Sequence, residues 1–244
     1  FYKLYETQID PSDYFIRKEK PARANVTKIL SSGDPATCVD LVFIAEGYTE
    51  SEMDKFRNDV KRLSDLFLNE PPYNEYRNKF NISAVEAVSS ESGTDVPGES
   101  IYVNTALNSS FYTFGTARYL TTQDMRSVND YAALAPHDNI IVLMNSPRYG
   151  GGGVYNYYSG ITSDNNRAKY LLIHEFGHGF AGLADEYYSK DVAYEEFYPL
   201  DVEPWEPNIT TLVSFDSKWK KMIPAGTPVP TPVEDKYMNV TGLF

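Results

Sequence analysis

The chain has 244 residues, with 22 Lys+Arg against 34 Asp+Glu and a formal charge of −12; an acidic surface without a basic run repels phosphate backbones, which excludes nucleic acid as an expected partner. A content of 42% hydrophobic and 14% aromatic residues can bury a core and excludes compositional disorder. The longest apolar runs fall far short of the ~20 residues that span a bilayer, so no transmembrane segment is expected, and the single cysteine, Cys38, excludes an internal disulfide framework.

In chain order, the first 35 residues alternate aromatic and charged positions around Tyr2, Leu4, Tyr14 and Ile16, then pass through Pro21 to a Ser31-Ser32-Gly33-Asp34-Pro35 loop. They read as an arm or the end of a preceding module. No basic-then-apolar leader precedes them, so an export signal, if the protein has one, has been removed or left out. Val39 to Ala45 reads as a buried strand that exits at Glu46-Gly47. Thr49 with Glu52 is a capping box, and Met53, Phe56, Val60, Leu63 and Phe67 repeat at helical spacing until Pro71-Pro72 closes the helix.

Phe80 to Val88 reads as a second strand and Ser89 to Gly98 as a loop, followed by a helix near Thr122 to Leu134 and a strand at Asn139 to Met144. The run Gly150-Gly151-Gly152-Gly153 lacks side chains and lets another backbone come close, and Val154 to Ser159 reads as a short edge strand. Asn165 or Asn166 then opens a helix through Leu171, Leu172, Ile173, Phe176 and Phe180 up to Gly182. Strands alternating with helices predict an α/β domain with a largely parallel or mixed sheet. Seven of the 15 prolines and both tryptophans lie beyond that helix, which predicts irregular chain wrapped over the core.

His174-Glu175-Phe176-Gly177-His178 is an H-E-x-x-H motif on the last of these helices, where imidazoles at i and i+4 share one face and can meet at one ion. With three His and 17 Glu in the chain, chance placement gives the pattern only roughly 0.003 times. His174 and His178 are therefore candidate zinc ligands and Glu175 the general base. Catalytic zinc takes a third protein ligand and leaves a position for water. Gly182 ends the helix and turns the chain back, so Asp185, three residues on, is the favoured third ligand. Glu186 is the alternative, or else a group that orients a ligand or anchors the loop. The metzincin pattern H-E-x-x-H-x-x-G-x-x-H/D has one residue fewer between its second histidine and its glycine.

The stretch His174-Glu175-Phe176-Gly177-His178-Gly179-Phe180-Ala181-Gly182-Leu183-Ala184-Asp185-Glu186-Tyr187 closely resembles the signature of the bacterial IgA-peptidase family of zinc metallopeptidases, as do Val39 to Thr49 and Gly151 to Asn156. The resemblance implies a secreted or cell-surface, metzincin-like zinc endopeptidase acting on peptide or protein substrates. Its mixed sheet would pack on a zinc-binding helix, with an irregular Pro-rich C-terminal part. It also implies that residues 1–35 end an N-terminal accessory β domain and that residues 36–244 are the catalytic domain. Metzincins place a methionine turn beneath the metal, and only Met222 and Met238 lie downstream of the proposed ligands. The rival reading is a non-catalytic glycan- or protein-binding module with a structural or vestigial zinc site.

Lesser features carry less. Asn25, Asn81, Asn108, Asn208 and Asn239 begin N-x-S/T sequons that read as chance, and Asp164-Asn165-Asn166 suits a helix cap better than calcium. His137 reads as a loop residue, and Tyr157-Tyr158 and Tyr187-Tyr188 as packing, with Tyr187 the one beside the proposed ligand. An edge strand before the zinc helix could pair with an extended substrate backbone. The sequence leaves the oligomeric state open.

Overall fold

The apolar runs beginning at Val39 and Asn139 are adjacent parallel strands in the computed structural model, which describes residues 6–14, 16, 23–186 and 198–243. In chain order the strands are β1 Val26–Leu30, β2 Val39–Glu46, β3 Phe80–Val85, β4 Ser109–Ser110, β5 Thr121–Thr122, β6 Asn139–Met144, β7 Gly151–Val154 and β8 Tyr158–Thr162. The helices are α1 Met53–Phe67, α2 Met125–Ala132 and α3 Ala168–Ala181. Six strands form one sheet in the order β1-β3-β2-β6-β8-β7, and β4 pairs with β5 apart from it. The inner four run parallel, while β1 and β7 lie antiparallel at the two edges.

Parallel strands covered on both faces read as unbroken apolar runs because every residue is inside. All six residues of β6 are buried. Along β2 the twofold alternation of side chains divides one run between two cores. Leu41, Phe43 and Ala45 face α1 and α3, whose Phe56, Val60, Leu63, Leu172 and Phe176 complete that cluster. Val42 and Ile44 face the other side, with Val128 and Ala132 of α2 and with Phe111 and Leu120. At the start of α1 the capping box is present, the Thr49 N–H donating to Glu52 Oε2 at 2.9 Å.

Several elements differ from the sequence reading. Val26–Leu30, placed there in an arm or accessory module, is an outer strand of the main sheet, paired with β3. Helix α2 starts at Met125 because the Asp124 carboxylate accepts the Ser127 N–H, at 3.0 Å, and caps it there. The edge strand is Gly151–Val154, and Val154 to Ser159 is instead the hairpin turn and the start of the interior strand β8. Strand formation by three glycines reflects tertiary contact over local propensity. Asp164 pairs with Lys55 at 3.0 Å, and the Asn165 carboxamide accepts the Arg167 N–H in the turn leading into α3, so these residues are engaged without calcium. Beyond α3 the described residues form only short 3-10 turns, at Phe215–Ser217, Trp219–Met222 and Asp235–Tyr237, in keeping with the proline content. No helix of the described residues is long and apolar enough to cross a membrane.

Candidate metal centre

Helix α3 lies against the β7–β8 edge of the sheet, anchored by the Ser159 hydroxyl donating to the Glu175 carbonyl at 2.8 Å and by Phe176 packing edge-on to Phe67 with ring centroids 5.1 Å apart. The glycines of β7 permit this approach. A β-carbon at Gly151 would stand 2.8 Å from Glu175 Oε1, and one at Gly153 would stand 2.8 Å from the His178 β-carbon. The helix ends at Gly182, whose φ of +63° is the left-handed conformation glycine adopts without strain. The Gly182 N–H donates to the His178 carbonyl and the Leu183 N–H to the Gly177 carbonyl, so the chain folds back along its own last turn.

That reversal brings three atoms together. His174 Nε2 and His178 Nε2 are 3.1 Å apart, and Asp185 Oδ1 is 3.1 Å from each of them. Zinc bound at about 2.0–2.1 Å by tetrahedral ligands separates them by about 3.3 Å, so the triangle has the size of one face of such a site. His178 Nδ1 lies 2.5 Å from the Leu183 carbonyl oxygen, which can only accept. Nδ1 therefore carries a proton, and Nε2 is the nitrogen turned toward His174 and Asp185, as in a metal-binding histidine. The donor set fits a divalent metal.

Glu175 stands beside this triangle and is only 7% exposed. Burial pushes its carboxyl up to about 7, against the lowering pull of His174 and His178, and Asp185 adds to the rise. Burial pulls the His178 imidazole down, but Asp185, the Leu183 carbonyl and Glu175 outweigh it and lift it to about 9.

Glu186, the alternative ligand, turns away and accepts a hydrogen bond from Asn208 Nδ2. Asn208 also holds the backbone just before Asp185, accepting the Ala184 N–H at 2.8 Å and donating to the Ala184 carbonyl at 2.9 Å. Sequence reasoning missed this residue, because an asparagine 23 positions beyond Asp185 in irregular chain carries no local signal except its sequon. Three other sequon residues make structural contacts: Asn25 bonds Glu86, Asn81 bonds Gly33 and Asp40, and Asn108 bonds Asp124.

The centre opens into a cleft of about 840 Å³ whose walls include Tyr149, Tyr155, Tyr170 and Trp205. The Tyr155 and Trp205 rings lie 4.9 Å apart above Gly182, and Tyr198 in the same wall donates to Glu206 at 2.8 Å. The outward backbone groups of β7 are partly taken: Gly151 bonds Leu120 and Arg118. Less edge is thus free for a substrate strand than the sequence suggests. Met222 and Met238 are 69% and 64% exposed, so neither forms the methionine floor of a metzincin, and the metzincin-like expectation reduces to a mixed α/β fold. His137 is a loop residue bonded to Ala135, and Tyr158 is buried in packing, as expected, while Tyr187 and Tyr188 lie outside the described residues.

No curated protein matches the chain. The family described as IgA Peptidase M64 does match, across residues 27–241 and so nearly the whole length, and the chain belongs to that peptidase family.

Proposed function

We propose that this member of a peptidase family is a zinc-dependent metalloendopeptidase, with His174, His178 and Asp185 as metal ligands and Glu175 as general base. The observation that carries the reading is the triangle of Nε2, Nε2 and Oδ1 atoms at 3.1 Å beside the buried Glu175 carboxyl, in a cleft of about 840 Å³.

Zinc bound there would lower the pKa of a water and polarise the scissile carbonyl. Glu175 would take the proton of the attacking water and hand it to the leaving amine. The Leu183 carbonyl holds the His178 ring in one tautomer and orientation. The aromatic wall of Tyr149, Tyr155, Tyr170 and Trp205 receives substrate side chains and sheds water from the reacting bond. A purely structural site has no use for the buried Glu175 beside its ligands, which weighs against the binding-module reading.

The test is elemental analysis coupled to digestion of a diverse peptide library by wild type and Glu175→Ala, with and without a chelator. About one zinc per chain in both, with cleavage lost by about 10²- to 10⁴-fold only in the variant, supports the reading. Zinc without cleavage in the wild type sinks the peptidase assignment. On the family resemblance we also propose that the enzyme is secreted or cell-surface/periplasmic and acts on secreted or host proteins; its confinement to the cytosolic fraction of the producing cells would count against this.

A further inference from the structure

We infer that Asn208 is a positioning residue of the metal centre, setting the affinity for the cation by fixing the backbone from which Asp185 projects. The inference rests on the zinc reading above. Helix α3 fixes two of the three donors, because His174 and His178 are one turn apart on a single rigid element. Asp185 is different. It sits four residues past the end of the helix, outside any secondary structure, and its side chain is 40% exposed. A donor on such a loop loses conformational freedom when it binds, unless something has already ordered it.

Asn208 supplies that order. Its carboxamide pairs with both polar groups of Ala184, accepting the N–H at 2.8 Å and donating to the carbonyl at 2.9 Å, in the manner of one rung of a β-ladder. The same Nδ2 reaches Glu186 Oε1, so residues on both sides of Asp185 are tied to one side chain. Asn208 is itself held. The ammonium of Lys218 donates to the carbonyls of Pro204 and Glu206, each at 2.7 Å, and to that of Ile209, while pairing with the Glu203 carboxylate at 3.1 Å. Asn208 thus lies between two carbonyls anchored to one buried cation, and the C-terminal chain acts on the centre as a brace. Its amide nitrogen is already committed, so modifying the sequon there would release the brace.

The experiment measures zinc affinity by chelator competition, and the absorption spectrum of the cobalt form, for wild type, Asn208→Ala and Asn208→Gln. The thermal midpoint of each metal-free protein is recorded alongside. Partners that orient metal ligands typically change affinity by 10- to 100-fold, and a loss of about that size is expected in Asn208→Ala with an altered cobalt spectrum and a nearly unchanged metal-free midpoint. Asn208→Gln keeps the chemistry but moves the carboxamide by one methylene, and should fall between. Wild-type affinity and spectrum in Asn208→Ala overturn the inference. So does a loss matched by collapse of the metal-free midpoint, which would mark a merely structural role. If Asn208→Ala does not fold, the Gln variant decides by the same criteria. A wild type that binds no zinc sinks the metal-centre reading and this inference with it, and that failure shows before any variant is made; no cleavage assay enters the result.

Discussion

Gly153 lies directly under Glu175: a β-carbon at position 153 would stand 2.7 Å from the Glu175 carbonyl oxygen and 3.2 Å from its Oε2. The smallest side chain therefore separates the sheet edge from the helix that carries Glu175, the proposed general base. Gly153→Ala is expected to retain metal, because His174 and His178 are carried on one helix and shift together. Displacing that helix, and Glu175 with it, by about 1 Å from the cleft-lining strand β7 lowers turnover by about 10²-fold. Single-turnover kinetics with measured zinc content checks this, and a normal rate in the alanine variant would contradict it.

Asp185 and Glu186 should separate cleanly. Asp185→Ala removes one corner of the ligand triangle and is expected to lose zinc on dialysis. Glu186→Ala removes only an acceptor for Asn208, which keeps its two bonds to Ala184, so zinc content should stay near one per chain. Elemental analysis of the two dialysed proteins decides, and the reverse pattern would reassign the ligand.

Gly182 is required for a different reason than Gly153. Its φ of +63° disfavours any other residue, and an added β-carbon would stand 2.7 Å from the Trp205 ring. Gly182→Ala is expected to cost about 1–2 kcal/mol from the backbone conformation alone. For a chain of this size that lowers the thermal midpoint by about 2–8 °C. A midpoint equal to wild type in scanning calorimetry would show that the turn has another solution.

Glu203 predicts a pH dependence away from the metal. Burial pushes its carboxyl up, but the Thr210 hydroxyl, the Ser214 N–H and the Lys218 ammonium outweigh burial and hold it at about 2. An unfolded glutamate titrates at about 4.3, so between these values the unfolded chain binds more protons and stability rises with pH. The Glu203 contribution should be complete above about 4.5 and vanish as pH falls toward 2. Urea midpoints of wild type and Glu203→Gln are expected to differ most near neutrality and converge in acid. A difference independent of pH would assign the effect to shape alone.

The parallel strands were legible because burial on both faces leaves β2 apolar from Leu41 to Ala45 and β6 apolar from Ile140 to Met144. The H-E-x-x-H helix was legible because helical period and ligand spacing coincide, and the return to Asp185 because only glycine ends a helix as Gly182 does. What escaped was non-local. Strand β1 is half-exposed and short, and its place in the sheet follows from its partner β3. The glycines of β7 have no strand propensity, and α3 and β8 dictate their conformation. The Leu183 carbonyl that orients His178 is backbone, which no residue type announces. Asn208 and Lys218 act through contacts across irregular chain, where no periodicity marks which polar residue faces inward.

The Lys218 ammonium occupies the kind of oxygen-lined nook that calcium fills in many extracellular proteins, with three carbonyls and one carboxylate converging on it. Because this cation is covalently part of the chain, it cannot be exchanged or sequestered. A chelator should therefore empty the histidine centre and leave the Trp205 and Glu206 wall standing, so peptides that fail to be cut by the stripped protein should still be bound by it.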